Sequence, residues 1–153
     1  MESVIKAFEI NGTKSEIIKL EINEVYGFPK ETSFRGGYDI KCNLWISSGI
    51  YSINTDSYFS STGALYNFYD QLKQCYETLN GKASYEVYCA ENYLLFDILF
   101  KDGKVSISGQ YRHDPMLKNI LYFEFESDQS YFVPVIKYLE QLIKRFGDNK
   151  GIK

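Results

Sequence analysis

Residues 92–111 read Asn-Tyr-Leu-Leu-Phe-Asp-Ile-Leu-Phe-Lys-Asp-Gly-Lys-Val-Ser-Ile-Ser-Gly-Gln-Tyr. Leu94, Phe96, Ile98 and Phe100 recur at every second position, which in a pleated strand puts them on one face. Asp102-Gly103 follows, a pair that tolerates positive φ at both positions and so closes a two-residue hairpin. Val105, Ile107, Gly109 and Tyr111 then resume the period of two. An apolar alternation on both sides of Asp-Gly is an antiparallel hairpin, and it sets the fold class. Asp97 interrupts the first strand on the face of Tyr93, Leu95 and Leu99. Buried, it would need a partner such as Arg or Lys; exposed, it would keep the sheet wet.

The same pattern extends outward. Downstream lie a polar loop with Pro115 (Arg112–Leu117) and a strand over Lys118–Glu126, with Leu121, Phe123 and Phe125 inward and Glu124 and Glu126 outward. Upstream, Lys82–Ala90 is a further strand. Before it, Leu65, Phe68, Tyr69, Leu72, Cys75, Tyr76 and Leu79 fall at helical spacing within Gly63–Leu79. Ser60-Ser61-Thr62 supplies capping hydroxyls, and Asn80-Gly81 supplies a left-handed stop.

Four more strands precede this helix. Ser3–Ile10 and Lys14–Asn23 flank Asn11-Gly12, read as a second hairpin turn. Tyr38–Ser47 and Ile50–Phe59 flank Ser47-Ser48-Gly49. A final helix over Ser130–Phe146 carries Phe132, Val135, Ile136, Leu139, Leu142, Ile143 and Phe146 as its apolar stripe. Asp128 or Ser130 caps it, Pro134 sits in or beside its first turn, and Gly147 ends it. The order is therefore ββββα-ββββα. We expect one α+β domain over residues 1–153, with a polar tail at about 148–153 and both helices packed on a curved antiparallel sheet of about eight strands.

Glu24–Tyr38 breaks the alternation. It holds Gly27, Pro29, Gly36 and Gly37, which exclude a regular strand or helix, together with Val25, Tyr26, Phe28, Phe34 and Tyr38. Its glycines and aromatics read as anchors of a crossover between strands. Glu24, Glu31 and Asp39 are its candidate partner contacts.

Composition narrows the function. A chain of 153 residues buries roughly 70% of its unfolded surface and needs no metal or disulfide to fold. The 14 Tyr and 11 Phe suit half-buried sheet surfaces. A charge of −3 from 20 acids and 17 bases opposes direct nucleic-acid binding, which relies on Lys and Arg, and suits a basic protein partner. Cys42, Cys75 and Cys89 form no framework or Cys-x-x-Cys motif and read as buried thiols in a reducing compartment. Residues 1–7 lack the apolar run of a signal peptide, and no segment approaches the roughly 18 apolar residues of a membrane span. The expected location is the cytoplasm, with no membrane partner.

No catalytic constellation emerges. His113, the only histidine, sits in a polar loop beside Asp114 and reads as a surface residue rather than a base. There is no EF-hand spacing among the aspartates, no phosphate-binding glycine loop, and no RNA-recognition signature of aromatic residues. We expect no enzyme activity, no cofactor and no metal.

Three stretches carry a family likeness: Leu20–Pro29 leading to Gly36-Gly-Tyr-Asp39, Ser61-Thr-Gly-Ala-Leu-Tyr-Asn-Phe-Tyr69, and Phe123-Glu-Phe-Glu-Ser-Asp-Gln-Ser130. The ending Phe146-Gly-Asp-Asn-Lys-Gly-Ile152 agrees with them. On these residues the chain resembles the WapI-type immunity proteins, cytoplasmic antidotes to wall-associated or contact-dependent polymorphic toxins. Ala64 departs from the acid usual at that place in the family, and removes a favourable charge from the first helical turn. The resemblance implies a non-enzymatic protein that binds the toxic C-terminal domain of its cognate toxin, often a nuclease. The alternative from another class is a peptide- or carbohydrate-binding module with a Tyr-rich surface. Oligomeric state is not legible.

Overall fold

The period-two segments become eight strands, and the register of each pair sends one set of side chains inward. In the computed structural model, which describes residues 4–152, the first half runs β1 (Ile5–Asn11), β2 (Ile17–Val25), β3 (Asp39–Ser48), β4 (Tyr51–Ser61) and α1 (Thr62–Thr78). The second half runs β5 (Gly81–Tyr88), β6 (Tyr93–Lys101), β7 (Lys104–Arg112), β8 (Leu121–Ser127), a 3-10 turn (Gln129–Tyr131) and α2 (Phe132–Phe146). Ser3, the expected start of the first strand, and Lys153 of the expected tail lie outside the described residues.

The expected α+β class and element order stand, with one difference in layering. The eight strands divide into two antiparallel sheets of four, β1-β2-β3-β4 and β5-β6-β7-β8, rather than one curved sheet. The break falls where α1 separates β4 from β5. Helix α1 lies along β5, α2 lies along β1, and the two helices touch each other. Both sheets turn one face into a single core. Phe8 of β1 sits at its centre, with ring centroids 5.6 Å from Phe68 of α1, 5.8 Å from Tyr85 of β5 and 6.0 Å from Phe96 of β6.

Unpaired strand edges are templates for aggregation, and here side chains occupy part of two of them, β5 and β4. Gln71 of α1 donates to the Ser84 carbonyl at 3.2 Å and accepts from the Ser84 N–H at 3.0 Å, sealing part of the β5 edge. Asn92 does the same to Phe59 on β4.

The turns divide between agreement and correction. Asp102 and Gly103 both adopt positive φ (53° and 76°) between β6 and β7, as the hairpin requires. Asn11-Gly12 does not. Among non-glycine residues the positive φ falls on Ser15, and β2 begins only at Ile17. Gly12 serves another end, since a Cβ there would overlap the Phe125 ring and Glu16. Helix α1 is capped by Ser61, whose Oγ accepts from the Ala64 N–H at 3.1 Å. It stops at Leu79, one residue before the expected Asn80-Gly81, with Leu79 itself left-handed. Asp128 caps the 3-10 turn rather than α2, and Gly147 ends α2.

Candidate interaction surface

The irregular segment after β2 folds back as a clasp. The Tyr38 carbonyl accepts from the Thr62 N–H at 2.8 Å, the Gly36 carbonyl accepts from the Gly63 N–H at 3.1 Å, and the Tyr38 N–H donates to Thr62 Oγ1 at 2.8 Å. Loop carbonyls thus satisfy N–H groups that the first turn of a helix leaves without partners. The other side of the clasp holds the C-terminal residues. The Gly37 N–H donates to the Asn149 carbonyl at 2.7 Å. Tyr38 Oη donates to the Pro29 carbonyl at 2.8 Å and accepts from the Ile152 N–H at 3.0 Å. Phe28 packs edge-on to Tyr38 and Phe146, each at 5.2 Å. The expected polar tail is therefore a docked strap, in which Asp148 bridges to Gly151 and Gly151 is buried against Tyr38.

The three carboxylates of this region have different surroundings. Glu24 is exposed, stands opposite Lys41 in the β2–β3 ladder, and accepts from Tyr26 Oη at 2.5 Å. Asp39 is half-buried, 3.9 Å from the Arg35 guanidinium, which also reaches Glu91 at 3.6 Å. Glu31 is exposed in the loop, its N–H bonded to the Gly27 carbonyl.

His113, the three cysteines and Asp97 lie on different parts of the chain. His113 is exposed, with Nδ1 2.9 Å from Tyr111 Oη. It borders two shallow depressions, one lined with Ile53, Ile120 and Leu121, the other with Glu91 and Asp114. Cys42 on β3, Cys75 on α1 and Cys89 just after β5 are free and buried, and burial raises each thiol's pKa. Asp97 is half-buried, and its partner is Ser84 Oγ at 2.5 Å rather than a cation. Among the described residues no group of three or more His, Cys, Asp or Glu side chains could hold a metal ion. No helix is long and apolar enough to cross a membrane.

What remains are two open sheet faces. On the first sheet, Trp45 is covered by Lys19, whose Nζ lies 4.8 Å from the ring centroid. On the second, Tyr88 and Tyr122 stand 71% and 67% exposed, beside Glu86, Glu124 and Glu126. The outward turn of Glu124 and Glu126 was legible from alternation. Their setting across four paired strands was not, because cross-strand register is not written in any one strand.

The described residues thus present broad sheet faces and shallow depressions around one core. The chain belongs to the WapI-like immunity protein family, whose model matches residues 9–147. No curated protein matches it. A solved structure, the CdiA-CT/CdiI toxin and immunity complex from Enterobacter cloacae, is similar at 12% identity with a TM-score of 0.42, covering 94% of this chain and 99% of that one.

Proposed function

We propose that this protein neutralises one polymorphic toxin in the cytoplasm by binding its toxic C-terminal domain. That domain is a nuclease, and binding blocks its active site or substrate surface. Family membership across residues 9–147 is the observation that carries the reading. The charge balance supports it: 20 acids against 17 bases suit a partner that must itself be basic to hold phosphates, and opposite fields speed and orient association. The work is done by contact, so it calls for no catalytic group, cofactor, nucleic acid or membrane. Exposed Glu24 and Glu31 stand available to the partner, whereas Asp39 is partly neutralised by Arg35.

The test is co-expression with the C-terminal domain of the toxin encoded beside this gene. Growth is expected to be rescued and the two chains to co-purify. If the folded protein neither rescues growth nor co-purifies, the reading is wrong.

A further inference from the structure

Resting on the reading that this chain binds a toxin domain, we infer how it does so: the toxin adds a β-strand to the free edge of β8. The incoming strand carries Lys or Arg on its outer side and apolar residues on its inner side.

The two four-stranded sheets end in β1, β4, β5 and β8, and the first three of these edges are covered or broken. Helix α2 lies along β1. Helix α1 lies along β5, where Gln71 pairs with Ser84. On β4 the ladder shifts register between Cys42 and Leu44, Thr55 Oγ1 accepts from the Ser57 N–H at 3.1 Å, and Asn92 pairs with Phe59. A covering helix, a bulge and side chains that occupy backbone groups are the usual guards of a sheet edge. The first half of β8 has none of them. The strand contains no proline, and its ladder with β7 runs without a register shift.

One hydrogen bond fixes the direction of its backbone groups. In an antiparallel ladder the N–H and C=O of a residue point to the same side, and the side alternates along the strand. The Glu126 carbonyl accepts from the Thr13 N–H at 2.9 Å, so Glu126 turns its backbone groups away from β7. Glu124 and Tyr122, at the same phase of the alternation, turn theirs the same way. The β1–β2 connection closes the end of the strand, where Ser127 Oγ also donates to the Asn11 carbonyl at 2.6 Å. Among the described residues no backbone hydrogen bond from outside the β7–β8 ladder reaches Tyr122 or Glu124. Their N–H and C=O groups are a template for a further strand, and strand addition to such an edge is a recurrent mode of protein recognition.

The side chains beside this edge select the occupant. On the outer face Glu124 has Ser108 opposite it on β7, and its other flank is open to a cross-strand neighbour. Lys or Arg in that place would form a stabilising pair. Lys14 of the closing connection shares a depression with Glu124 and Glu126, so backbone pairing supplies the affinity and Glu124 only the preference. On the inner face Leu121, at the start of β8, borders a hollow shared with Ile53 and Ile120, which suits an apolar side chain of the incoming strand. A second copy of β8, Leu-Tyr-Phe-Glu-Phe-Glu-Ser, would bring carboxylates and no cation to the pairing.

The probe is the purified, catalytically inactivated C-terminal domain of the toxin encoded beside this gene. Amide exchange is followed by NMR in the free protein and in the saturated complex. The Tyr122 and Glu124 amides should slow by at least about tenfold on binding. Two variants separate backbone from side chain. Glu124→Pro removes an edge N–H that the β7 ladder does not use, and should weaken binding by at least about tenfold. Glu124→Gln keeps that N–H and removes the charge, and should weaken binding by about threefold. Melting temperatures near that of wild type confirm that both variants fold. Should the proline variant not fold, the exchange measurement on the unaltered protein decides.

Unchanged exchange of Tyr122 and Glu124 in the saturated complex overturns the inference, and so does a Gln variant that loses as much affinity as the proline one. Slowing that appears without toxin as the protein is concentrated assigns the edge to a second copy and overturns it too. Failure of the wild type to bind at all is a different result: it overturns the functional reading, and this inference with it.

Discussion

The side chain of Asn92 pairs with the backbone of Phe59 as a strand would. Its Oδ1 accepts from the Phe59 N–H at 2.8 Å and its Nδ2 donates to the Phe59 carbonyl at 3.1 Å. Asn92 precedes β6, Phe59 is in β4, and Asn92 is fully buried, so one amide joins the two sheets and seals an edge. Asn92→Ala strands both backbone groups, at about 2 kcal/mol when buried groups lose their partners. At roughly 2–4 °C per kcal/mol for a domain of this size, the melting temperature should fall by about 4–8 °C. Calorimetry decides it, and an unchanged melting temperature would mean that water replaces the amide at no cost.

Tyr38 Oη links the Pro29 carbonyl to the Ile152 N–H. Tyr38→Phe keeps the ring against Phe28 and Phe146 and removes only the hydroxyl, costing about 1–2 kcal/mol for two partly buried bonds. Ending the chain at Gly147 removes the Asn149 and Ile152 contacts. The two changes share a partner, so in urea denaturation their combined effect should be smaller than the sum. Strict additivity would show that the strap and the hydroxyl act independently.

Much of this was legible because it is local. Leu94, Phe96, Ile98 and Phe100 dictated their strand by period alone, and Asp102-Gly103 dictated its turn by φ alone. Asn11-Gly12 carries the same signal and misled, because Gly12 is held by a tertiary need: Phe125 and Glu16 occupy the space of a side chain. The strap was read as a polar tail because its acceptor, Tyr38, is 114 residues from Ile152. The loop carboxylates Glu24, Glu31 and Asp39 stood out in sequence by their irregular surroundings. Glu86, Glu124 and Glu126 look ordinary in their strands, and only the ladders show which residues stand opposite them.

Gly63 is predicted to tolerate no side chain, although it lies in the first turn of α1 with ordinary helical freedom. A Cβ there would meet the backbone carbon and oxygen of Gly36 at 2.5 Å and Asn149 Oδ1 at 2.8 Å. Helix propensity alone favours Gly→Ala by about 1 kcal/mol, so this substitution separates the two effects. Overpacking against backbone should win, and Gly63→Ala should destabilise by about 1–3 kcal/mol. A gain in stability would show that the clasp yields freely.

High pH should unfold this protein, and the sign follows from its buried acids. Burial raises the pKa of the Tyr58 and Tyr85 phenols and the Cys42 thiol, and lifts Tyr111 to about 12. In the unfolded chain thiols ionise near about 8.5 and phenols near about 10. Above those values the unfolded chain releases protons that the folded chain retains, so stability is full below about pH 8 and declines as pH rises. Each such group contributes a slope of about 1.4 kcal/mol per pH unit between its unfolded and folded values. Chemical denaturation from pH 7 to 11 should show the decline beginning near pH 8.5, where thiols lead. Cys42→Ala lowers the starting stability by leaving a small void, yet it should flatten the curve between about pH 8.5 and 10 by one group's slope. An equally steep curve in that variant would remove Cys42 from the account, and a flat wild-type curve to pH 11 would remove the buried phenols as well.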